Sequence, residues 1–311
     1  MSDIITVTLN PAYDLHYTIS NFRPYKENIV ETVLVESGGK GINISRALLN
    51  NKKDSIAFVI LGRENSDKFE KTLQQWGLKY IPMYVPGKIR ENITIHPKND
   101  PETRICLDNF YLNNEKLEEF FEKMSDYIQK GTIVAFSGRI PRGITTSNVL
   151  SFLHKAKDAG ALLAVDSCSF DIEALSILRP WLIKPNEQEI ESLCKKTITS
   201  LEDALSAAKM LASVGIDNVI VSMGGKGAVY VGCGATYKAT VPAITPISTI
   251  GAGDSTVAGF ISGFVDGLTL ADCLKRAIAF GTAACLTEGT LPPRPEDVAR
   301  LIQEVTVTMV D

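Results

Sequence analysis

The chain is poor in histidine, with only His16, His96 and His154, and its six cysteines, Cys106, Cys168, Cys194, Cys233, Cys273 and Cys285, never form a C-x-x-C pair. Zinc sites and disulfide frameworks both need such residues at recognisable spacings, so neither is indicated, and reduced thiols in or near the core are expected. No apolar run is long enough to span a bilayer, and the chain does not open with a basic region followed by an apolar one. Positive charge is not in excess either: 32 Lys+Arg against 36 Asp+Glu leave a net charge of −4. That balance gives no general attraction to nucleic acid or to an anionic membrane, although local basic clusters can still bind phosphate. The reading is a cytoplasmic protein with neither nucleic acid nor membrane as partner.

Two familiar phosphate signatures are missing as well. Each Gly-Lys pair, at Gly39-Lys40, Gly87-Lys88 and Gly225-Lys226, lacks the following Ser or Thr of a Walker A loop. Thr256 stands where a dinucleotide fingerprint beginning at Gly251 wants its third glycine, which argues against a nicotinamide enzyme. There is no internal repeat, low-complexity tract or long linker. What remains is 311 residues with 45% hydrophobic and 22% charged, enough to build a large α/β core.

The most informative stretch is Ser248-Thr249-Ile250-Gly251-Ala252-Gly253-Asp254-Ser255-Thr256. It joins the extended run 241–246 to a segment, 257–265, whose apolar residues recur at helical spacing. Gly251 and Gly253 permit a tight turn, which makes Ala252, Gly253 and Asp254 first-turn residues. Unpaired N–H groups and the positive end of the helix dipole then favour a phosphate or a transient anion, and they predict that Asp254 stays ionised. Asp254 would accept a hydroxyl proton while Gly251, Ala252 and Gly253 offer amides to the transferring group. On the motif alone, a helix-capping aspartate after a glycine turn reads equally well.

Earlier in the chain, 4–9 reads as a buried strand ending at Asn10-Pro11, and Asp14 follows just beyond its C-terminal end. Ligands of open parallel sheets gather there, so Asp14 is placed to accept bonds from substrate hydroxyls, or simply to form a turn. Residues 13–36 alternate loosely, as do 90–95 and 103–107, which flank the turn-rich 96–101 and predict a hairpin. Between them Ser37-Gly38-Gly39-Lys40-Gly41-Ile42-Asn43 opens a helix. Gly38 and Gly39 permit close backbone approach to a polyhydroxy ligand, Asn43 brings a donor and an acceptor, and Lys40 brings a positive charge. The other reading is a flexible loop with a solvated lysine. Buried-strand runs recur at 56–61, 133–136, 161–165, 181–183 and 218–222, with helices at 66–76 and 270–286, and this alternation reads as a parallel sheet wrapped by helices on both faces.

Read together, the segment from Thr8 to Asp14, the Gly38–Asn43 loop and the Gly251–Asp254 turn resemble the PfkB branch of the ribokinase-like carbohydrate kinases, and within it the group of 1-phosphofructokinase and tagatose-6-phosphate kinase. The resemblance covers essentially the whole chain. It implies a three-layer α/β/α kinase domain over residues 1–311 with a mostly parallel central sheet, and a small β-sheet lid from stretches near 12–36 and 88–110. It also implies ATP and Mg²⁺, a ketohexose phosphate as acceptor, and a homodimer formed through the lid. The acceptor would be fructose 1-phosphate or, as an alternative, tagatose 6-phosphate; an unphosphorylated sugar or nucleoside, or a non-catalytic sensor, are more distant readings.

By the same resemblance, Asp14, Gly38, Gly39 and Asn43 would orient the sugar. Lys40, Arg90, Arg104 and Arg139 would neutralise its phosphate, the arginines through a planar fork. Arg139 departs from the family's usual Ser-Gly-Ser-Leu-Pro, replacing a small hydroxyl, so it either adds a phosphate contact or points to solvent. In Lys184-Pro185-Asn186-Glu187-Gln188-Glu189, Lys184 would sit near nucleotide phosphate, and Asn186 and Glu189 would organise water around Mg²⁺. Taken alone, that stretch also reads as a capped helix carrying surface acids. Ser222, Gly224, Gly225 and Gly227 would let backbone amides pass close to ATP.

Overall fold

The computed structural model describes residues 3–98, 100–107 and 110–310. Asn99, in the expected turn at 96–101, and Asp108 and Asn109, in the expected stretch 88–110, lie outside the described residues.

The apolar runs become one ten-stranded sheet. From edge to edge it runs Val307–Met309, Ala235–Ala239, Ala228–Gly232, Asn218–Ser222, Leu182–Ile183, Leu162–Asp166, Ile133–Ser137, Ile4–Thr8, Ile56–Gly62 and Lys79–Val85. From Asn218–Ser222 to Lys79–Val85 every neighbouring pair is parallel; the other three strands are antiparallel. Strands buried on both faces need apolar residues at odd and even positions alike. Ile5, Val7, Val134, Phe136, Leu163 and Val165 accordingly enter the core on one face, while Ile4, Ile133, Ala135 and Ala164 enter the core on the other. Helices cover both faces, giving the expected three-layer α/β/α arrangement. No helix of the described residues is long and apolar enough to cross a membrane.

The alternating stretches form a separate four-stranded sheet in the order Thr32–Gly38, Ala12–Ile19, Arg90–Pro97, Thr103–Cys106. The expected hairpin is present, with Asn92 opposite Cys106 and Ile95 opposite Thr103. Ala12–Ile19 pairs antiparallel with Thr32–Gly38 and parallel with Arg90–Pro97, so Asp14 stands between Glu36 and Asn92. Val33, Leu34, Ile105 and Leu107, in and beside this sheet, are all exposed.

Two edge strands escaped the sequence reading. Lys79–Val85 carries Pro82 and only one buried residue, and Val307–Met309 has three residues. Edge positions tolerate proline and polar faces, so neither segment carries the pattern of a core strand.

Candidate active site

Two helices that begin after a glycine set the geometry. Helix Ala252–Val265 starts behind Gly251, whose φ of 77° lies in the left-handed region, and helix Lys40–Asn50 starts behind Gly39. Neither start carries a side-chain cap, whereas helices that follow Asn113, Thr145, Asp171, Asn186, Ser200 and Thr269 each accept a backbone N–H on the capping side chain. The Ala252 N–H, expected to be free, donates instead to the Thr249 carbonyl at 3.4 Å, while the Gly253 and Asp254 N–H groups remain for a ligand. The loop before Lys40 is pinned where the Thr8 hydroxyl accepts the Ile42 N–H at 3.1 Å. A Cβ on Gly39 would come within 2.7 Å of Thr8 Cγ2. Gly39 thus serves packing against the first strand as well as the cleft. Gly38 does not line the cleft, but a Cβ there would lie 2.7 Å from Asp14 Oδ2.

The two helix starts face a cleft of about 300 Å³ lined by Asp14, Gly39, Lys40, Asn43, Arg90, Asn186, Glu189, Lys184, Gly251, Gly253 and Asp254, all expected from sequence, together with Asn92, Asp166 and Thr290, which were not. A second cleft of about 440 Å³ is lined by Ser222, Gly224, Gly225, Gly227, Ala252 and Gly253, with apolar walls that include Val241, Ile244 and Ile278. The clefts share Gly253, the residue before Asp254. Arg104 and Arg139 are exposed and line neither. Arg139 is nonetheless close enough for its charge to be felt at Arg90, and Arg104 for its charge to be felt at His16.

Asp254 is 5% exposed and accepts the Asn43 Nδ2–H at 2.8 Å. Burial, reinforced by the negative charge of Asp166, pushes its carboxyl up to about 7 against the opposing pull of Lys40, Asn43 and Lys184. This corrects the expectation of an acid that stays ionised. A helix dipole is worth about 0.3–1 kcal/mol to a charge at its end, less than the desolvation of a fully buried carboxylate.

Asp166, at the end of strand Leu162–Asp166, anchors the cations. Lys40 Nζ lies 3.0 Å from its Oδ2 and Lys184 Nζ lies 3.7 Å from its Oδ1. Burial alone would raise the Asp166 carboxyl, but the two lysines hold it below the ordinary aspartate value. Burial would likewise lower Lys40, yet Asp166, Asp254 and Glu189 outweigh it and keep the ammonium firmly protonated. Lys40 Nζ also lies 3.8 Å from Glu189 Oε1, and Lys40 lines the same cleft as Arg90.

Asn186 and Glu189 form a capping box, Glu189 N–H donating to Asn186 Oδ1 at 2.9 Å and Asn186 N–H to Glu189 Oε2 at 3.0 Å. The capped-helix reading holds, and the capped pair also lines the cleft. Among the described residues no three acidic, imidazole or thiol side chains converge as a metal cage. The hard oxygens of Asp166 and Glu189 suit a magnesium ion shared with phosphate and water.

Toward the small sheet, Asp14 accepts the Asn92 Nδ2–H at 2.8 Å, and Asn92 Oδ1 accepts from Arg90 Nη1 at 3.3 Å. Burial raises the Asp14 carboxyl, with Asn92 and Arg90 opposing. Arg90 Nε, Asn43 Oδ1 and Ser137 Oγ are buried without a partner. Arg90 and Asn43 line the cleft, and an unmet donor and an unmet acceptor there are what a phosphorylated, hydroxyl-rich ligand would satisfy. The cleft wall at Thr290 is tied back to the small sheet: its N–H donates to Glu36 at 3.3 Å, Glu36 faces His16 at 3.4 Å, and His16 Nδ1 lies 2.9 Å from His96 Nε2.

Residues 5–297 match the model of the pfkB family of carbohydrate kinases. The chain is 31% identical to a 1-phosphofructokinase of Haemophilus influenzae over all of both chains, and 32% identical to a 1-phosphofructokinase of Borreliella burgdorferi over 98% of each. Its fold superposes on phosphofructokinase-2 of Escherichia coli, solved in complex with substrates and products, with a TM-score of 0.89 at 25% identity, covering 97% of this chain and 98% of that one. The chain belongs to the pfkB family of carbohydrate kinases and is an ATP-dependent sugar kinase.

Proposed function

We propose that the enzyme transfers the γ-phosphoryl group of ATP to a free hydroxyl of fructose 1-phosphate, giving fructose 1,6-bisphosphate and ADP. The observation that carries the reading is the meeting of the two clefts at Gly253, with Asp254 at the junction. In this reading the second cleft holds ATP, its Ser222–Gly227 turn running along the phosphates and its apolar walls along the base. The first cleft holds the phosphosugar, with Asp14 and Asn43 on hydroxyls and Arg90 on the phosphate. The names of the relatives favour fructose 1-phosphate over tagatose 6-phosphate.

Asp254 takes the proton of the acceptor hydroxyl as its oxygen attacks the γ-phosphorus and the bond to ADP breaks. Asn43 holds one carboxylate oxygen, which leaves the other for that proton. The amides of Gly253 and Asp254, with Lys40 and Lys184, face the charge of the transferring group. A bound Mg²⁺, held through water by Asp166, Asn186 and Glu189, would neutralise phosphate charge. A coupled assay of ADP release across fructose 1-phosphate, tagatose 6-phosphate, fructose 6-phosphate and free ketohexoses tests the reading. Fructose 1-phosphate should give the highest kcat/KM, and a preference for unphosphorylated sugar would overturn it. Arg90→Ala should raise the KM for the phosphosugar roughly 30- to 100-fold and change that for ATP less than about threefold, because a charge-assisted bond to phosphate contributes about 1.5–3 kcal/mol. A selective loss of ATP affinity would move Arg90 to the other substrate.

The whole of 1–311 acts, in this reading, as one kinase unit in which 12–36 and 88–110 form a lid over the sugar. Exposed Val33, Leu34, Ile105 and Leu107 need cover, and a second copy of the sheet would provide it. Sedimentation at micromolar concentration should show a dimer, and saturating phosphosugar should slow amide exchange in both stretches. A monomer whose exchange ignores substrate would contradict both; a monomer with substrate-dependent protection would reject the dimer alone.

A further inference from the structure

We propose that Asn92 is a positioning residue that keeps Arg90 and Asp14 apart, so that the guanidinium stays free for the acceptor's phosphate and the carboxylate for its hydroxyls. The proposal rests on the assignment of the first cleft to a phosphosugar. Asn92 lies on strand Arg90–Pro97, two residues from Arg90 and therefore on the same face, and pairs across the parallel ladder with Asp14. Its amide is spent in both directions: Nδ2–H donates to Asp14 Oδ1 at 2.8 Å, and Oδ1 accepts from Arg90 Nη1 at 3.3 Å.

Only this orientation of the amide fits. Turned over, its oxygen would face a carboxylate and its NH₂ a guanidinium. Arg90 and Asp14 each feel the other's charge, yet no direct bond joins them. Half-buried on one cleft wall, an arginine and an aspartate that feel each other's charge have a strong incentive to pair bidentately. That pair would use the carboxylate that should accept from the sugar and the fork that should grip its phosphate. Asn92 satisfies one atom of each and leaves the rest available. Arg90 Nε, buried and without a partner, is the counterpart of that arrangement. Aspartate in place of Asn92 would repel Asp14, and an apolar side chain would remove the spacer, so the amide is the side chain that serves.

The test is a double-mutant cycle read by calorimetric binding of the phosphosugar without ATP, with KM values alongside. It uses whichever ketohexose phosphate the wild type binds: binding of tagatose 6-phosphate in place of fructose 1-phosphate would overturn the acceptor assignment and leave this test intact. Asn92→Leu should weaken phosphosugar binding roughly 10- to 100-fold and leave the KM for ATP within about twofold. In the Arg90→Ala background, where no guanidinium can collapse onto Asp14, the same substitution should cost at least about threefold less. A crystal structure of Asn92→Leu should show Arg90 bonded directly to Asp14. An equal cost in both backgrounds, or an Arg90 that stays apart from Asp14, would overturn the proposal and leave Asn92 a packing residue. If the leucine variant does not fold, Asn92→Ser carries the same cycle with the same criteria.

Discussion

Asp254→Asn is expected to bind ATP and phosphosugar nearly as the wild type does and to turn them over roughly 10³- to 10⁴-fold more slowly. The amide keeps the shape and the bond from Asn43 but cannot take a proton. The wild type carries a second signature of the same residue. With the carboxyl pushed up to about 7, the base is increasingly protonated below neutral pH, and kcat/KM should fall tenfold per unit on the acid side. The residual activity of the variant should lack that limb. Stability should move the other way. The folded-state value lies above the ordinary 3.8, so Asp254 binds its proton more tightly in the fold, and its ionisation costs stability as pH rises from about 4 to about 7. The asparagine variant should therefore resist urea better than the wild type at pH 8, by at most about 4 kcal/mol, and lose that advantage at pH 4. Near-normal turnover by the variant at saturating substrates would remove Asp254 as the base.

Lys40→Met is expected to act on the chemical step and not on acceptor affinity. Lys40 lies against Asp166 and Glu189, and its charge is felt at Asp254. Losing one preorganised cation from a phosphoryl-transfer site should lower kcat roughly 10²- to 10³-fold, with the KM for the phosphosugar changing less than about threefold. Lys40 also lowers the Asp254 carboxyl, so its removal should shift the acid limb of kcat/KM to higher pH. An unchanged limb with a large rise in phosphosugar KM would return Lys40 to the acceptor's own phosphate.

The junction was readable because its parts are local. Two glycines between an extended run and a helix leave few backbone solutions, and the resulting N-terminus and its Asp254 are consequences of that turn. The layered sheet followed for a similar reason: apolar runs punctuated by Gly, Pro and Asn signal buried parallel strands. Pairings across the fold were not readable. Lys40 meets Asp166 across 126 residues of chain and Asn43 meets Asp254 across 211, and nothing in a Gly-Lys-Gly loop says which acid it will face. Asp166 was visible as a polar residue at a strand end, which in a parallel sheet is a binding position, but its two lysines came only with the fold. Asn92 offered a weaker signal, two residues from Arg90 on an alternating strand and so on the same face as a residue already singled out. The ionisation of Asp254 was misjudged because a helix terminus can be seen in sequence and burial cannot.

Following phosphorus directly shows which acceptor receives the group and whether Asp254 is needed. Limiting Mg·ATP is offered to the enzyme with equimolar fructose 1-phosphate, tagatose 6-phosphate and fructose, and the reaction is observed by ³¹P NMR. ADP and fructose 1,6-bisphosphate should appear together in equal amounts and ahead of any other product, and Asp254→Asn should leave the ATP resonances intact over the same interval. Appearance of a fructose monophosphate as the first product, or equal conversion by the asparagine variant, would contradict this expectation.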